Sequence, residues 1–183
     1  MWDLPTSVNI DGIEYPITDR CDYRVVLDVF EALNDDELTE QEKIETALYL
    51  FYEDLTGCKD LETAVKEMFK IINNGEEEEP SQRDAPTLMD WKHDFMQIVP
   101  PVNRVLGYSV RDAEKYTHWQ DLLAAYMEIG DCTFATIVSI RSKQAKGKKL
   151  ERHEQEFYNK NRNKINLPKK LTTEEQELLD SEW

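Results

Sequence analysis

Three histidines, His93, His118 and His153, are the side chains best suited to carry protons near neutral pH. No cysteine or carboxylate stands at a metal-site spacing from them, and neither HExxH nor CxxC occurs. Glycine-rich phosphate loops and the GxSxG nucleophile motif are also absent. Asp90 and Asp94 could pair, but a chain with 38 acidic residues produces such pairs by chance. The sequence therefore predicts structural histidines, no metal, no cofactor and no enzymatic activity.

Composition predicts a folded protein of a reducing compartment. The 183 residues are 40% hydrophobic, which is enough to bury a substantial core. Cys21, Cys58 and Cys132 are odd in number and far apart, which argues against a disulfide framework. No run of about eighteen apolar residues occurs, and the first residues lack the pattern of a secretion signal. We therefore expect a cytosolic protein that does not enter a membrane.

The net charge of −16 is unevenly distributed. Residues 1–140 carry a balance of −19, residues 141–170 carry +8, and the last thirteen residues carry −5. The basic stretch 141–170 has three interpretations. It could be a solvated helix that pairs with the acidic body, residues 1–140, or with the acidic tip, the last thirteen residues; it could be a surface for a protein partner; or it could be a nucleic-acid site. The acidic body would repel phosphate, which makes nucleic acid the least favoured partner.

The first predicted element is a β-hairpin. Alternating apolar residues flank Asp11-Gly12, a dipeptide that favours a type I′ turn because both positions need positive φ. Pro16 lacks an N–H, so the second strand should be short or at an edge. An isolated two-stranded ribbon is marginal in water. We therefore expect the hairpin to lie on helices.

Three amphipathic helices should follow the hairpin. Side chains that can accept hydrogen bonds from first-turn N–H groups mark their starts: Asp22, the capping box of Thr39 with Glu42, and Asp60. The first helix has an apolar stripe formed by Tyr23, Val26, Leu27, Phe30 and Leu33. Gly75 is placed to end the third helix. Residues 1–75 are thus predicted to form a hairpin plus three-helix unit, and the glutamate-rich residues 76–86 a flexible linker.

A second helical unit is predicted over residues 87–146. Its first helix starts near Asp90 and should break or kink at Pro100-Pro101, because proline lacks an N–H and disfavours helical geometry before it. Thr117 with Gln120 suggests a capping box for the next helix. A last helix in this unit places Phe134, Ile137, Val138 and Arg141 on one side.

Residues 147–183 are predicted to form a weakly anchored basic helical arm with an acidic tip. The main apolar anchors of the arm are Leu150, Phe157 and Tyr158, and Thr172 with Glu175 signals another helix start. The whole chain is accordingly predicted to be mainly α: a helical bundle of about six to eight helices with a short N-terminal β-hairpin.

Aromatic residues of the second unit have two interpretations. Trp91, Phe95, Trp119 and Tyr126 are at helical spacing, which is typical of core side chains. Tryptophan and tyrosine are also enriched at interaction hot spots, so part of the set could form a partner groove. Core packing is the favoured interpretation for most of these residues.

Several longer phrases resemble a known family. They are MWDLPTSVNIDGIEYPI, VVLDVFEALND, ALYLFYEDL, LMDW, PVNRVLGYSVRD, HWQDLLAAYMEIGDCTFATIVSIR, KGKKL and EQEFYNKN. Together they are similar to the phage gene-product-fifteen family, found in tailed phages and prophages of Gram-positive bacteria. The likeness covers nearly the full chain, with departures at Pro100-Pro101 and in HWQDLL.

This resemblance implies a non-enzymatic tail-assembly chaperone in the host bacterial cytoplasm. It would bind the phage tape-measure protein and help to recruit tail-tube subunits. The candidate partner-binding residues are the aromatic set Trp91, Phe95, Trp119 and Tyr126, and the basic set Arg141, Lys143, Lys146, Lys148, Lys149 and Arg152. The alternatives are an acidic decoy that occupies a host nucleic-acid-binding protein, or a structural tail component.

Overall fold

The structure is a computed structural model that describes residues 3–75 and 86–168. Its described part contains one antiparallel hairpin and eight α-helices, which confirms the mainly α fold with a short N-terminal β-hairpin. The elements are β1 Ser7–Ile10, β2 Ile13–Pro16, α1 Tyr23–Leu33, α2 Glu40–Phe51, α3 Leu61–Ile72, α4 Trp91–Leu106, α5 Trp119–Met127, α6 Thr133–Ala145, α7 Arg152–Lys160 and α8 Arg162–Ile165. No helix among the described residues is long and apolar enough to cross a membrane.

The chain divides into two compact units. Unit 1 comprises Met1–Ala85 and Phe95–Cys132, and unit 2 comprises Pro86–Asp94 and Thr133–Trp183. Linker residues 76–85, the Thr172 and Glu175 capping signal and the acidic tip lie outside the described residues. Each unit is therefore built from two segments that are distant in sequence.

The hairpin of unit 1 forms as its turn chemistry predicts. Asp11 and Gly12 have φ values of 53° and 84°, and Ile10 pairs with Ile13 across the turn. The Gly12 N–H donates to Asn9 Oδ1 at 3.1 Å. Strand β1 contacts α3, as expected for a ribbon that is too small to be stable alone.

Local side chains start α1, α2 and α3 as predicted. Asp22 accepts from the Arg24 N–H at 3.0 Å, and Asp60 accepts from the Thr63 N–H at 2.9 Å. At the start of α2, both hydrogen bonds of the predicted capping box are present. These bonds satisfy backbone donors that a helix cannot pair internally.

The buried face of α1 is wider than a single stripe. Val25, Val29 and Ala32 are buried, whereas Phe30 and Leu33 of the predicted stripe are half-buried. The physical reason is that α1 contacts both α2 and α5. A helix with two neighbours buries more of its circumference than a surface helix does.

Of the two outcomes predicted at Pro100 and Pro101, a break or a kink, the break is wrong, because α4 runs as one helix through both prolines. A proline inside a helix costs about 3 kcal/mol or more. Burial of Ile98, Val99 and Val102, which flank the two prolines, contributes about 1.5–3 kcal/mol for each side chain. Tertiary packing therefore offsets the local cost, and Val102 to Leu106 continue the same helix.

The start of α5 also differs from the prediction. His118 is its N-cap, and the imidazole Nδ1 accepts from the Gln120 N–H at 3.1 Å. Thr117 is buried, and its carbonyl accepts from the Tyr23 N–H at 2.9 Å. This backbone contact with α1 holds Thr117 ahead of the helix, so His118, one residue later, is the N-cap.

The loop between α4 and α5 is organised by the start of α1. The Arg24 guanidinium donates to the carbonyls of Val110, Asp112 and Lys115 at 2.9–3.2 Å. The Tyr23 hydroxyl also donates to the Val110 carbonyl, at 2.9 Å. One arginine thereby supplies the hydrogen bonds that secondary structure would otherwise provide.

Unit 2 has its own small core. Ile137, Ile140 and Ile165 are buried, with Leu150, Phe157 and Tyr158 packed against them. The three anchors predicted for the basic arm are therefore the partly buried rim of this core. Within the arm, α8 contacts α7, and it also contacts α6, which joins the described end of the arm to the preceding helix.

Candidate interaction surfaces

Trp119 belongs to the core of unit 1. Its side chain is almost fully buried, its indole Nε1 donates to the Ile72 carbonyl at 2.8 Å, and its ring meets Phe30 edge-on at 5.7 Å. A buried tryptophan needs a partner for its N–H, and this one has it. Trp119 is therefore not on the surface.

The other three aromatic candidates are half-buried. Phe95 stacks on Tyr23, with ring centroids 6.1 Å apart, and Tyr126 lies on α5. Both belong to unit 1, whereas Trp91 belongs to unit 2. The aromatic set is thus divided between the two units.

Arg141 is the central buried charge of unit 2. It makes a two-bond ion pair with Asp94 at 2.6 and 2.8 Å. The guanidinium also donates to the carbonyls of Leu88, Lys164 and Ile165, at 2.9, 2.7 and 2.6 Å. All five N–H donors of the arginine are thereby used. The side chains of Arg141 and Asp94 are 5% and 0% exposed, so this arginine stabilises unit 2 and is not on the basic surface.

Asp94 is the partner that sequence reasoning missed. Its carboxylate also accepts from the Asp90 N–H at 3.0 Å, and Asp90 accepts in turn from the His93 N–H at 2.7 Å. These two bonds fix the first turn of α4. The available signal was the placement of Arg141 on the apolar side of its helix, because a buried arginine requires a buried carboxylate.

Lys143 is half-buried and holds α7 against α6. Its ammonium lies 2.6 Å from Glu154, which also completes a capping box with Glu151 at the start of α7. The hydrogen bond from Lys143 and the Glu151 N–H lower the pKa of Glu154 below its ordinary value. Lys143 thus has a structural partner within unit 2.

The Lys143–Glu154 pair predicts a pH-dependent stability. Because the pKa of Glu154 is lowered in the folded state, its stabilising contribution is present above the ordinary value of about 4.3 and is lost as the pH falls through the lowered value. We expect Glu154→Gln to lower the free energy of unfolding at pH 7 and to have a smaller effect near pH 3. Denaturant unfolding at both pH values measures the difference.

Glu156→Gln is the matched control, since Glu156 forms an exposed pair with Arg152 on the same helix. Its effect at pH 7 should be small. An equal effect of Glu154→Gln at the two pH values would contradict the role given to this pair.

Three lysines and Arg152 form the exposed part of the basic set. Lys146, Lys148 and Lys149 lie in the turn after α6, where the Lys148 N–H donates to the Lys143 carbonyl at 2.8 Å. Gly147 makes this turn possible with a φ of 63°. None of the described residues forms an ion pair with these three lysines. Arg152 is exposed as well and pairs with Glu156.

His118 and Cys21, two groups that could carry chemistry, have structural surroundings. His118 Nε2 lies 3.0 Å from the Pro5 carbonyl, which can only accept, so the ring N–H is on Nε2 while Nδ1 caps α5. Burial raises the pKa of the Cys21 thiol to about 12, which keeps it protonated and unreactive. Across residues 3–75 and 86–168, no group of three or more His, Cys, Asp or Glu side chains could hold a metal ion.

Comparison with known proteins gives one result. Residues 1–167 match the family model described as Bacteriophage Gp15 protein, whereas no curated protein and no solved structure matches. This match covers nearly the whole chain and indicates a structural or assembly-related role in a phage. The chain therefore belongs to the bacteriophage Gp15 protein family.

Proposed function

We propose that this protein is a non-enzymatic tail-assembly chaperone, acting in the host bacterial cytoplasm. It binds the phage tape-measure protein and helps to recruit tail-tube subunits. The observation that carries the proposal is the family match over residues 1–167. The surface chemistry below supports it and selects the residues for a test.

The basic turn after α6 is the proposed first contact with the client. Lys146, Lys148 and Lys149 are exposed and lack carboxylate partners among the described residues. They stand out on a chain whose net charge is −16. A cluster of this kind attracts acidic segments of a partner and raises the rate of encounter.

The proposed client, the tape-measure protein, has apolar surfaces that a helical partner could cover. A tape-measure protein is a long helical chain that exposes apolar faces before the tail tube surrounds it. A helical partner can cover such faces by packing a groove against them. The strong negative charge of the chaperone would limit non-specific aggregation of the complexes.

Co-expression tests the proposal. The tape-measure protein of the same phage should remain in the soluble fraction and co-purify with the chaperone. If the two proteins neither co-purify nor change each other's solubility, the chaperone function is wrong.

Neutralising the basic turn tests the contact surface. Replacing Lys146, Lys148 and Lys149 by glutamine should weaken client binding by about tenfold, because three charges lose their attraction. The matched control replaces the exposed Lys59, Lys66 and Lys70 of unit 1 by glutamine, which changes the net charge equally. Titration calorimetry measures both, and equal losses would show that only the net charge matters.

The balance of −19 over residues 1–140 favours a second candidate, an acidic decoy for a host nucleic-acid-binding protein. A pull-down from host lysate separates the candidates, since recovery of a nuclease or polymerase in place of tail proteins would support the decoy. Detection of this chain in purified virions would support a structural tail component.

A further inference from the structure

The solvent side of α4 carries an unusual surface for so acidic a chain. Met96, Pro100 and Arg104 follow one another at intervals of four and are all exposed, with Met96 at 60%. Arg111 extends the row, because its guanidinium lies 3.5 Å from Met96 Sδ. We call these four residues the α4 face. It combines an apolar centre with two positive charges and contains no carboxylate.

Within residues 3–75 and 86–168, neither arginine of the α4 face has a carboxylate partner. The Arg104 guanidinium donates to the Ile129 carbonyl, and Arg111 meets the methionine sulfur. None of the described residues forms an ion pair with either arginine, although the chain has 38 acidic residues. Two cations beside an exposed methionine would suit an acidic partner surface with an apolar centre.

Such a surface exists on the same molecule. On α2, Glu45 and Tyr49 lie four residues apart, and Glu53 lies two residues past the helix end, after the extended Tyr52. All three are exposed, and Tyr49 is 82% exposed, the highest value among the large hydrophobic residues described. We call these residues the α2 face. It joins one exposed aromatic side chain to two carboxylates, one a turn before it on the helix and one just after the helix end.

We infer that the α2 face of one copy of this chain docks on the α4 face of a second copy. The Tyr49 ring would cover Met96 and Pro100, since sulfur and aromatic rings attract. The two glutamates would meet the two arginines in charge-assisted hydrogen bonds. Both faces belong to unit 1, so every copy carries one α2 face and one α4 face. This contact is independent of the proposed function.

Self-association of the full chain tests the inference. In sedimentation equilibrium the average mass should rise with protein concentration. Tyr49→Ser should weaken association by about tenfold or more, because it removes the central anchor. Met127→Ser is the matched control, because Met127 is 78% exposed on α5 and lies outside both faces. A constant monomer mass, or equal effects of the two variants, would overturn the contact.

Charge exchange gives a second and sharper test. Glu45→Arg and Arg111→Glu should each abolish association, because each places like charges opposite each other. An equal mixture of the two variants should associate again, since both contacts of a mixed pair then join opposite charges. Arg104→Glu replaces Arg111→Glu if far-UV circular dichroism shows the latter unfolded. Mixtures with either arginine variant that stay monomeric would refute the pairing.

Discussion

Replacing Arg141 by methionine is expected to destabilise unit 2 by about 3–5 kcal/mol. The substitution leaves the Asp94 carboxylate buried without a counter-ion. It also removes the donors of three carbonyls, those of Leu88, Lys164 and Ile165. Urea unfolding followed by circular dichroism measures the loss. Hydrogen exchange of the α6 and α8 amides then assigns it to unit 2.

Arg152→Met is the control, since Arg152 carries the same group at 95% side-chain exposure and should change stability by less than about 0.5 kcal/mol. Arg141→Lys should lower the free energy of unfolding nearly as much as Arg141→Met does. The single ammonium of lysine cannot donate to all five acceptors that surround the guanidinium. Pairing Asp94→Leu with Arg141→Met should recover part of the loss, as it removes the buried charge. A loss below about 1 kcal/mol for Arg141→Met would contradict the arrangement.

Replacing Trp119 by alanine is expected to lower the free energy of unfolding of unit 1 by about 3–5 kcal/mol. The change leaves a cavity beside Phe30 and removes the donor of the Ile72 carbonyl, which links α5 to the end of α3. Thermal or urea unfolding, monitored through the circular-dichroism signal of the helices, measures this loss of stability. Any loss of client binding by this variant should then scale with the fraction unfolded.

A second substitution separates the ring of Trp119 from its N–H, and a third at an exposed aromatic residue is the control. Trp119→Phe keeps most of the packing and should cost about 1–3 kcal/mol, mainly for the unsatisfied carbonyl. Tyr49→Ala removes an aromatic ring that is 82% exposed and should be nearly neutral for stability. If Trp119→Ala retained the stability of the parent while client binding fell, Trp119 would belong to a docking surface.

Features set by neighbouring residues were predicted correctly from the sequence. The Asp11-Gly12 turn depends only on backbone preferences at two positions, and both adopt the required positive φ. The caps at Asp22, Thr39 and Asp60 depend on a side chain within three residues of its partner. Such signals need no knowledge of the rest of the fold.

Features set by distant residues were not predictable in this way. The cap moves to His118 because Thr117 contacts Tyr23, which lies more than ninety residues away. Helix α4 continues through its prolines because buried side chains on both sides stabilise it. In each case a long-range contact outweighs a local preference of about 1–3 kcal/mol.

The candidate site shows the same division. Runs such as Lys146 to Lys149 are predictably exposed, because several charges in a short turn cannot all be buried. Whether Arg141 is buried or exposed depends on Asp94, which lies 47 residues away in the sequence. Core packing was favoured for most of the aromatic set, and Trp119, also a candidate partner-binding residue, lies in the core of unit 1; its Ile72 partner required the structure.

The construction of unit 2 from two separate segments has a consequence for synthesis on the ribosome. Asp94 emerges 47 residues before Arg141, and the last acceptor of Arg141, Ile165, follows 24 residues later. At a synthesis rate of about 5–20 residues per second, Asp94 is made several seconds before its counter-ion, Arg141. The hydrogen-bond network of Arg141 is complete only after Ile165 has left the ribosome. Nascent chains cut short before Ile165 would therefore keep this arginine incompletely paired.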